Sequence, residues 1–423
     1  MLIAESPMIV LLLVILFSFV GAILSDKLKL SYPTIMVGIG FVLSLLRFGV
    51  GFSSITVDSN LILGIVVPPL MFEAAMRTRF EVFRTVQKTV IGLAIFGVVI
   101  SAFASALVLN LALGLPLGVA LLFGIIVSPT DPVTVVSVLK RMRAPEALTT
   151  ILESEAYLNN ATPVILFPIA LSLSFSPVSG LSHFAVTLLG GVGIGLLVSG
   201  IAELLHKLIT EPLAETSFTI AVMYGSYVLA ESLGVSGLIA VPIAGLYMGN
   251  RTMRTAMSEE TRETMIKFWE VVTFLATAFA FLLIGLKADF ELLITFAPFI
   301  VVAFAAIIIA RILSVYPVLW FAQLLGEKIP SSWKKILAFA GLRGAVSIAL
   351  VLSLPESIFR GTIQAMTFGV ALLSLIVQAE ILRVYVRKEA KEDYHESFSC
   401  PPSELELRGL NGTYETSERN RFE

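Results

Sequence analysis

Apolar residues fall into long runs along this chain, separated by short polar segments. A membrane-spanning helix needs roughly 20 mainly apolar residues, and about thirteen runs approach that length. We number them spans 1 to 13, and they cover residues 7–25, 31–48, 59–76, 89–111, 116–139, 148–174, 182–208, 216–233, 235–250, 266–288, 293–322, 333–354 and 361–384. The pattern predicts an all-α polytopic membrane protein, with a transmembrane domain at 1–388 and a short, disordered polar tail at 389–423.

Lysine and arginine are concentrated in alternate loops. The loops after the odd-numbered spans hold almost all of these residues, whereas the opposite loops hold only Arg47, Lys287 and Arg360. Basic loops of membrane proteins stay in the cytoplasm. We therefore expect a multi-pass protein of the cell membrane, surrounded by lipid, whose N-terminus lies outside and whose C-terminal tail is cytoplasmic.

Spans 5 and 12 are each interrupted by residues that disfavour a continuous helix. Span 5 carries Ser128-Pro129-Thr130-Asp131-Pro132, and span 12 carries Gly341-Leu342-Arg343-Gly344. Proline removes a backbone donor, and paired glycines loosen a helix. If span 7 links spans 1–6 to spans 8–13, the two halves form an inverted-topology repeat in which spans 5 and 12 correspond. Broken, crossing helices at such positions predict a binding site near the membrane midplane.

Span 6 opens with an unusually polar stretch at residues 153–163. An ionisable side chain inside a bilayer costs at least roughly 2.5–3.5 kcal/mol, so it indicates a functional site by default. On a helix, Glu155 and Asn159 share one face because they are four residues apart, and Ala156 and Asn160 share a second face. We expect the rest of the protein to pack around these two faces.

The charged residues at the interruptions each have more than one possible role. Asp131 is a candidate cation and proton ligand beside half-helix ends, or an N-cap for the second half-helix. Arg343 is a buried cation that needs an anion. Its natural partner is Glu155, with Asn159 one turn on, which predicts a latch between spans 6 and 12. Arg311, inside span 11, also needs a partner, but the sequence does not select one.

Glu73 closes the run Pro68-Pro69-Leu70-Met71-Phe72-Glu73 near the cytoplasmic end of span 3. It is a candidate ion ligand or funnel residue. The alternative is an interfacial carboxylate paired with Arg77, which lies four residues further along the helix. Both alternatives stay open from the sequence.

Composition excludes several classes of function. Hydrophobic residues make up 57% of the chain and charged residues 14%, against about 25% charged residues in a soluble protein. A formal net charge of −2 argues against a nucleic-acid partner. The single cysteine, Cys400, excludes an intramolecular disulfide framework. With no nucleophile–base pair and no metal-ligand spacing in the sequence, we expect neither an enzyme nor a cofactor.

The motifs together resemble those of the sodium/proton antiporters of the NhaP and eukaryotic sodium/proton exchanger type. The residues that carry this resemblance are 128–132, 155–160, 268–270, 281–286 and 341–347, within a match over about 8–385. The resemblance implies a homodimer of thirteen-helix protomers, each with a core domain and a dimerisation region. It also implies elevator-like transport, in which sodium or lithium competes with protons for carboxylates.

The resemblance also implies roles for individual residues. By position, Asp131 corresponds to the Asp of the family's T-D-P break, and Thr130 to the residue that offers its main-chain carbonyl. Glu73 resembles a site carboxylate of archaeal members. Sodium is therefore expected at Asp131, Thr130, Asn160 and Glu73, and Asn159 is also expected among the ion- and proton-binding residues. The same comparison assigns the latch to Glu155, Asn159 and Arg343.

Span 6 departs from the family pattern at two positions. The family reads E-S-x-x-N-D, whereas this chain reads Glu155-Ala156-Tyr157-Leu158-Asn159-Asn160. A serine ligand has become Ala156, and the principal aspartate has become Asn160. An amide carbonyl still coordinates sodium, but it has no net charge and cannot exchange a proton.

We predict a monovalent cation/proton antiporter that exchanges sodium or lithium for protons by alternating access. Two alternatives remain. One is a transport-silent homologue that acts as a sensor or scaffold, and the other is an exchanger with altered ion choice. Ala156 and Asn160 favour the alternatives, whereas the intact breaks and latch favour retained motion.

Overall fold

The computed structural model describes residues 7–45, 59–131, 144–171, 177–209, 211–357 and 359–386, together with Val133, Val135, Val136 and Leu139. The predicted tail at 389–423 lies outside the described residues. Spans 1 to 6 are formed by α1 (Pro7–Leu28), α2 (Tyr32–Leu45), α3 (Ser59–Arg77), α4 (Phe80–Leu113), α5 (Leu117–Ile126), α6 (Glu146–Asn159) and α7 (Ala161–Leu171).

The second half of the protein continues the same helical pattern. Its helices are α8 (Pro177–His206), α9 (Pro212–Ser232), α10 (237–255), α11 (Glu259–Lys287), α12 (Phe290–Thr295), α13 (Ala297–Leu324), α14 (Ser331–Phe339), α15 (Ala345–Leu352) and α16 (Arg360–Val386). Every predicted span coincides with helix in the described part of the chain, which contains no strand. Among the described residues, six uninterrupted helical stretches are long and apolar enough to cross a membrane. The predicted all-α polytopic fold is confirmed.

The start of span 4 differs from its prediction. The apolar run begins at residue 89, but α4 begins at Phe80 and its first turns carry Arg84 and Lys88. Val86 and Val90 of the same stretch are buried. The early part of α4 is therefore amphipathic. Its polar residues lower the average hydropathy of the sequence there, so the apolar run starts later than the helix does.

Both predicted interruptions are present. After Ile126, residues 127–131 are not helical, and residues 340–344 separate α14 from α15. Pro129 lies inside the first interruption, where it removes a backbone donor.

Several helices contain a π-turn, a single wide turn that frees backbone groups. Among the described residues these turns are Ile62–Val66, Leu93–Gly97, Met248–Thr252 and Ser374–Gln378. Carbonyls in two of these turns accept side-chain hydrogen bonds from other helices. Thr162 donates to Ala94 O at 2.9 Å, and Tyr224 donates to Ile65 O at 3.0 Å. The π-turns therefore join neighbouring spans through polar bonds.

The helices pack into two groups with the functional site between them. In the frame group (α1–α3 and α8–α11), α2 packs along α11 and α3 along α10. In the core group (α4–α7 and α12–α16), α4 packs along α13 and α6. Gly40 of α2 and Gly285 of α11 permit a close approach within the frame group, because a Cβ at either position would collide with the backbone of the other helix.

Candidate functional site

The two interruptions cross and satisfy each other's backbone groups. The Asp131 N–H donates to Leu342 O at 2.8 Å. In return, Arg343 Nη1 donates to Ser128 O at 3.0 Å and to Pro129 O at 3.4 Å. Ser128 O would normally bond to the N–H four residues on, but that residue is Pro132, which has none. The Arg343 guanidinium replaces the missing donor.

The π-turn of α16 supports the interruption of span 12. Gln378 Nε2 donates to Phe339 O at 2.9 Å and to Gly341 O at 3.3 Å. The Arg343 N–H donates to Ser374 Oγ at 3.2 Å. Carbonyls at the end of α14 thereby gain partners within the protein, as buried backbone groups require.

The predicted latch partner of Glu155 is wrong. Glu155 forms a bidentate ion pair with Arg311, in which Nη1 bonds to Oε1 and Nη2 donates to Oε2 at 2.8 Å. Arg311 Nε also donates to Leu337 O at 3.2 Å. Arg343 bonds to backbone carbonyls instead, because the proline-containing break leaves those acceptors without donors. The latch joins spans 6 and 11, and the partner that the sequence could not assign to Arg311 is Glu155.

Asn159 braces the break of span 5, although it was expected near the ion. Its Nδ2 donates to Thr130 Oγ1 at 2.8 Å, and its Oδ1 accepts from the Thr130 N–H at 3.3 Å. Nδ2 also lies 3.4 Å from Glu155 Oε1. The side chain is 1% exposed, and its amide is used on both sides. Asn159 therefore lies beside Glu155 on the latch face, as predicted. Its amide oxygen, which was expected near the ion, accepts a hydrogen bond from the protein backbone.

A cavity of about 510 Å³ lies between the two helix groups and reaches the crossing. Its polar lining comprises Tyr32, Glu73, Arg77, Thr130, Asp131, Glu153, Tyr157, Asn160, Glu270, Thr273 and Thr277. The structure therefore brings Asp131, Thr130, Asn160 and Glu73 together, as predicted. Ala156 is buried and is not among the described lining residues. Of the two departures in span 6, only Asn160 lines the cavity.

Arg77 joins two carboxylates of the cavity wall. Its Nε bonds to Glu73 Oε1, and its Nη2 donates to Glu270 Oε1 at 2.6 Å. The pairing of Glu73 with Arg77 was one of the two alternatives for Glu73. Glu73 also lines the cavity, so the ion pair does not remove it from the site.

One side of the cavity comes from residues that were not singled out as site residues. Glu270, Thr273, Phe274 and Thr277 of α11 all line it. They lie at helical positions i, i+3, i+4 and i+7, and therefore share one face. This mainly polar stripe in an otherwise apolar span was the signal available in the sequence.

Gly344 allows Asp131 to approach the second interruption. A Cβ at this position would lie 2.7 Å from Asp131 Cβ and 3.2 Å from Asp131 Cγ. Overpacking of this kind typically costs about 1–3 kcal/mol. Gly344→Ala should therefore lower the free energy of unfolding by about that amount. The lower stability should be measured as a lower melting temperature in detergent.

Gly361→Ala is the matched control for this substitution. Gly361 lies at the start of α16, and a Cβ there would meet no atom within 4 Å. Alanine is the better helix former by up to about 1 kcal/mol, so this variant should be as stable as the native chain or more stable. Equal melting temperatures for the two variants would contradict the proposed close approach.

The arrangement is suited to binding a small cation and a proton at one place. The cavity lining includes a carboxylate, a threonine and an amide, at Asp131, Thr130 and Asn160. Oxygen donors suit hard cations, and a carboxylate also binds a proton. Asp131 is 9% exposed, so most of its surface is in contact with protein.

The chain has relatives of known type. Residues 14–388 match the family described as sodium/hydrogen exchanger, transmembrane. The chain is 35% identical over 363 residues to the Na(+)/H(+) antiporter ApNhaP of Aphanothece halophytica, across 84% of this chain and 68% of that protein. It is 33% identical over 362 residues to the low-affinity Na(+)/H(+) antiporter NhaS1 of Synechocystis sp., across 83% and 68% of the two proteins.

The fold has a solved counterpart. The structure of the sodium proton antiporter MjNhaP1 from Methanocaldococcus jannaschii at pH 8 superposes with a TM-score of 0.73 and 25% sequence identity. The match covers 90% of this chain and 97% of that one. The resemblance drawn from the motifs is confirmed, and the chain belongs to the transmembrane sodium/hydrogen exchanger family.

Proposed function

We propose that this protein exchanges sodium or lithium for protons across the cell membrane by alternating access. The observation that carries the proposal is the cavity that reaches Asp131 at the crossing of the two interruptions. A single carboxylate there binds either a cation or a proton, and this competition couples the two fluxes. The curated relatives named above are sodium/proton antiporters.

The proposal includes an orientation and an assembly. Arg77, which ends α3 and lines the cavity, belongs to the basic loops. By the positive-inside rule those loops are cytoplasmic. The cavity then faces the cytoplasm, the N-terminus lies outside and the tail at 389–423 lies inside. We assign a homodimer on the family likeness, with the core group as the moving part.

The proposed ligands are Asp131, Thr130, Asn160 and Glu73. Asn160 supplies only a neutral oxygen where the family has a carboxylate. Loss of one unit charge about 4 Å from the ion weakens attraction by up to about 4 kcal/mol at an effective dielectric of 20. The charge of Glu73 is already paired with Arg77, so Glu73 compensates only partly for the charge that is missing at Asn160. We therefore expect weak cation binding.

A second candidate is a transport-silent homologue that acts as a sensor or scaffold. Asn160 favours it, because this side chain lines the cavity and cannot carry a proton. The Glu155–Arg311 pair and the crossing favour transport, because they preserve the framework around Asp131.

The test is sodium- and lithium-driven proton flux in proteoliposomes that contain the native chain or Asn160→Asp. Exchange above that of empty liposomes in the native chain, with stronger exchange in Asn160→Asp, would support the proposal. Flux in Asn160→Asp alone would identify the native chain as transport-silent.

A further inference from the structure

A second cavity, of about 700 Å³, lies apart from the ion site. It is bounded by α4 and α6–α7 of the core group and by α8 and α10 of the frame group. Most of its lining is aliphatic or phenylalanine, and it includes Val192 and Leu196 of α8 and Ile239 and Ile243 of α10, two helices that pack against each other. We call it the lateral groove.

The polar lining of the lateral groove is concentrated at one end. Glu81, Asn250 and Arg251 lie near the start of α4 and in the π-turn of α10, beside the basic loops. At the other end, Thr162 lines the groove, but its hydroxyl donates to Ala94 O at 2.9 Å. The groove is therefore polar at its mouth and apolar along its depth.

The length of the groove matches one leaflet of a bilayer. Its lining on α4 runs from Phe80 to Ile95, which is about 22 Å at a rise of 1.5 Å per residue. Half of a bilayer, including its headgroup layer, is also about 20–22 Å thick. A molecule that fills the groove thus has a polar end at the membrane surface and an apolar end near the midplane.

The charge at the mouth favours an anion. Arg251 Nε bonds to Glu203 Oε2 at 3.0 Å, and Lys207 Nζ lies 3.6 Å from Glu203 Oε1. Two cations therefore share one carboxylate, while Glu81 is neutralised by Arg254 at 2.9 Å. The Arg251 side chain is 64% exposed, and a guanidinium binds phosphate through two parallel bonds.

We propose that the lateral groove binds one anionic phospholipid, with its phosphate on Arg251 and an acyl chain between α8 and α10 on one side and α4 on the other. The lipid fills the space between the core and frame groups. This inference does not depend on ion exchange, because it rests on the shape, depth and charge of the groove alone.

The test measures lipid retention by native mass spectrometry. The full chain is purified in detergent, depleted of lipid, and incubated with phosphatidylglycerol or phosphatidylcholine. The native chain should retain phosphatidylglycerol preferentially. Arg251→Gln should lower that retention roughly tenfold, since a charged hydrogen bond is lost. Lys267→Gln is the matched control, because Lys267 is an exposed cation that pairs with the exposed Glu263 and neither residue lines the groove; it should bind as the native chain does.

A second pair of variants tests the acyl-chain site. Val192→Trp fills the groove and should abolish retention of the lipid, whereas Leu197→Trp, at a residue 54% exposed and outside the groove, should not. Equal retention in the native chain, Arg251→Gln and Val192→Trp would overturn the proposal. A second outcome would also overturn the proposal: Val192→Trp separates a native dimer into protomers and leaves lipid retention unchanged. The groove would then be covered by a second copy of the chain and not by a lipid.

Discussion

Asp131→Asn should abolish sodium-driven proton flux in proteoliposomes. Asp131 lies at the crossing of the interruptions, and Asn160, which lines the same cavity, carries no charge. An asparagine of nearly the same volume keeps the backbone bond to Leu342 O but holds no exchangeable proton. The loss should therefore be complete in the native background and in Asn160→Asp.

Glu153→Gln is the matched control for Asp131→Asn. Glu153 lines the same cavity, two helical turns before Asn160. Its neutralisation should reduce the flux without removing it, because it leaves the carboxylate at the crossing in place. Full exchange in Asp131→Asn, or complete loss in Glu153→Gln alone, would move the proton-exchanging role to Glu153 or Glu73.

Arg311→Ala should strongly destabilise the protein. Glu155 is 1% exposed, and its bidentate partner is Arg311. Removal of one partner from a buried ion pair costs about 3–5 kcal/mol, because the remaining charge is left without compensation. We expect a large fall in melting temperature in detergent, partly recovered when Glu155→Gln removes the remaining charge.

Arg79→Ala is the control, because it removes an ion pair that is exposed and not buried. Arg79 pairs with Glu146 at 3.2 Å, but both side chains are more than half exposed. Exposed pairs contribute about 0–1 kcal/mol, so stability should change little. If Arg311→Ala and Arg79→Ala have the same melting temperature, the buried charge of Glu155 is not stabilised by Arg311. If the fall in Arg311→Ala is unaffected by Glu155→Gln, the destabilisation has another source.

The helices and both breaks could be predicted from the sequence because they depend on local chemistry. Runs of apolar residues define the spans, and Pro129, Pro132 and the glycines around Arg343 define the interruptions. The gathering of Asp131 and Asn160 around one cavity followed from the family motifs.

The choice of ion-pair partner could not be predicted from the sequence. Arg311 and Arg343 are both buried cations, and helix spacing relates residues only within one helix. The choice depends on which carbonyls the broken helix leaves without donors, and the crossing assigns Arg343 to them. Glu155 is then paired with Arg311. The role of Gly344 was also missed in part, because its close approach to Asp131 is a contact between distant segments.

The two departures in span 6 have different consequences in the structure. They share a helix face by spacing, yet Asn160 lines the cavity and Ala156 is buried outside it. Residues on one helix face still point in somewhat different directions, so a neighbouring helix can cover one of them and leave the other at the cavity. The change at Asn160 therefore bears directly on ion binding.

We propose that one carboxylate, Asp131, binds cation and proton in turn. Calorimetry of sodium binding, repeated at several pH values in buffers of different ionisation enthalpy, gives the number of protons released per sodium bound. We expect weak binding that releases at most one proton, and the loss of both binding and release in Asp131→Asn. Release of two protons per sodium in the native chain, or unchanged binding in Asp131→Asn, would contradict it.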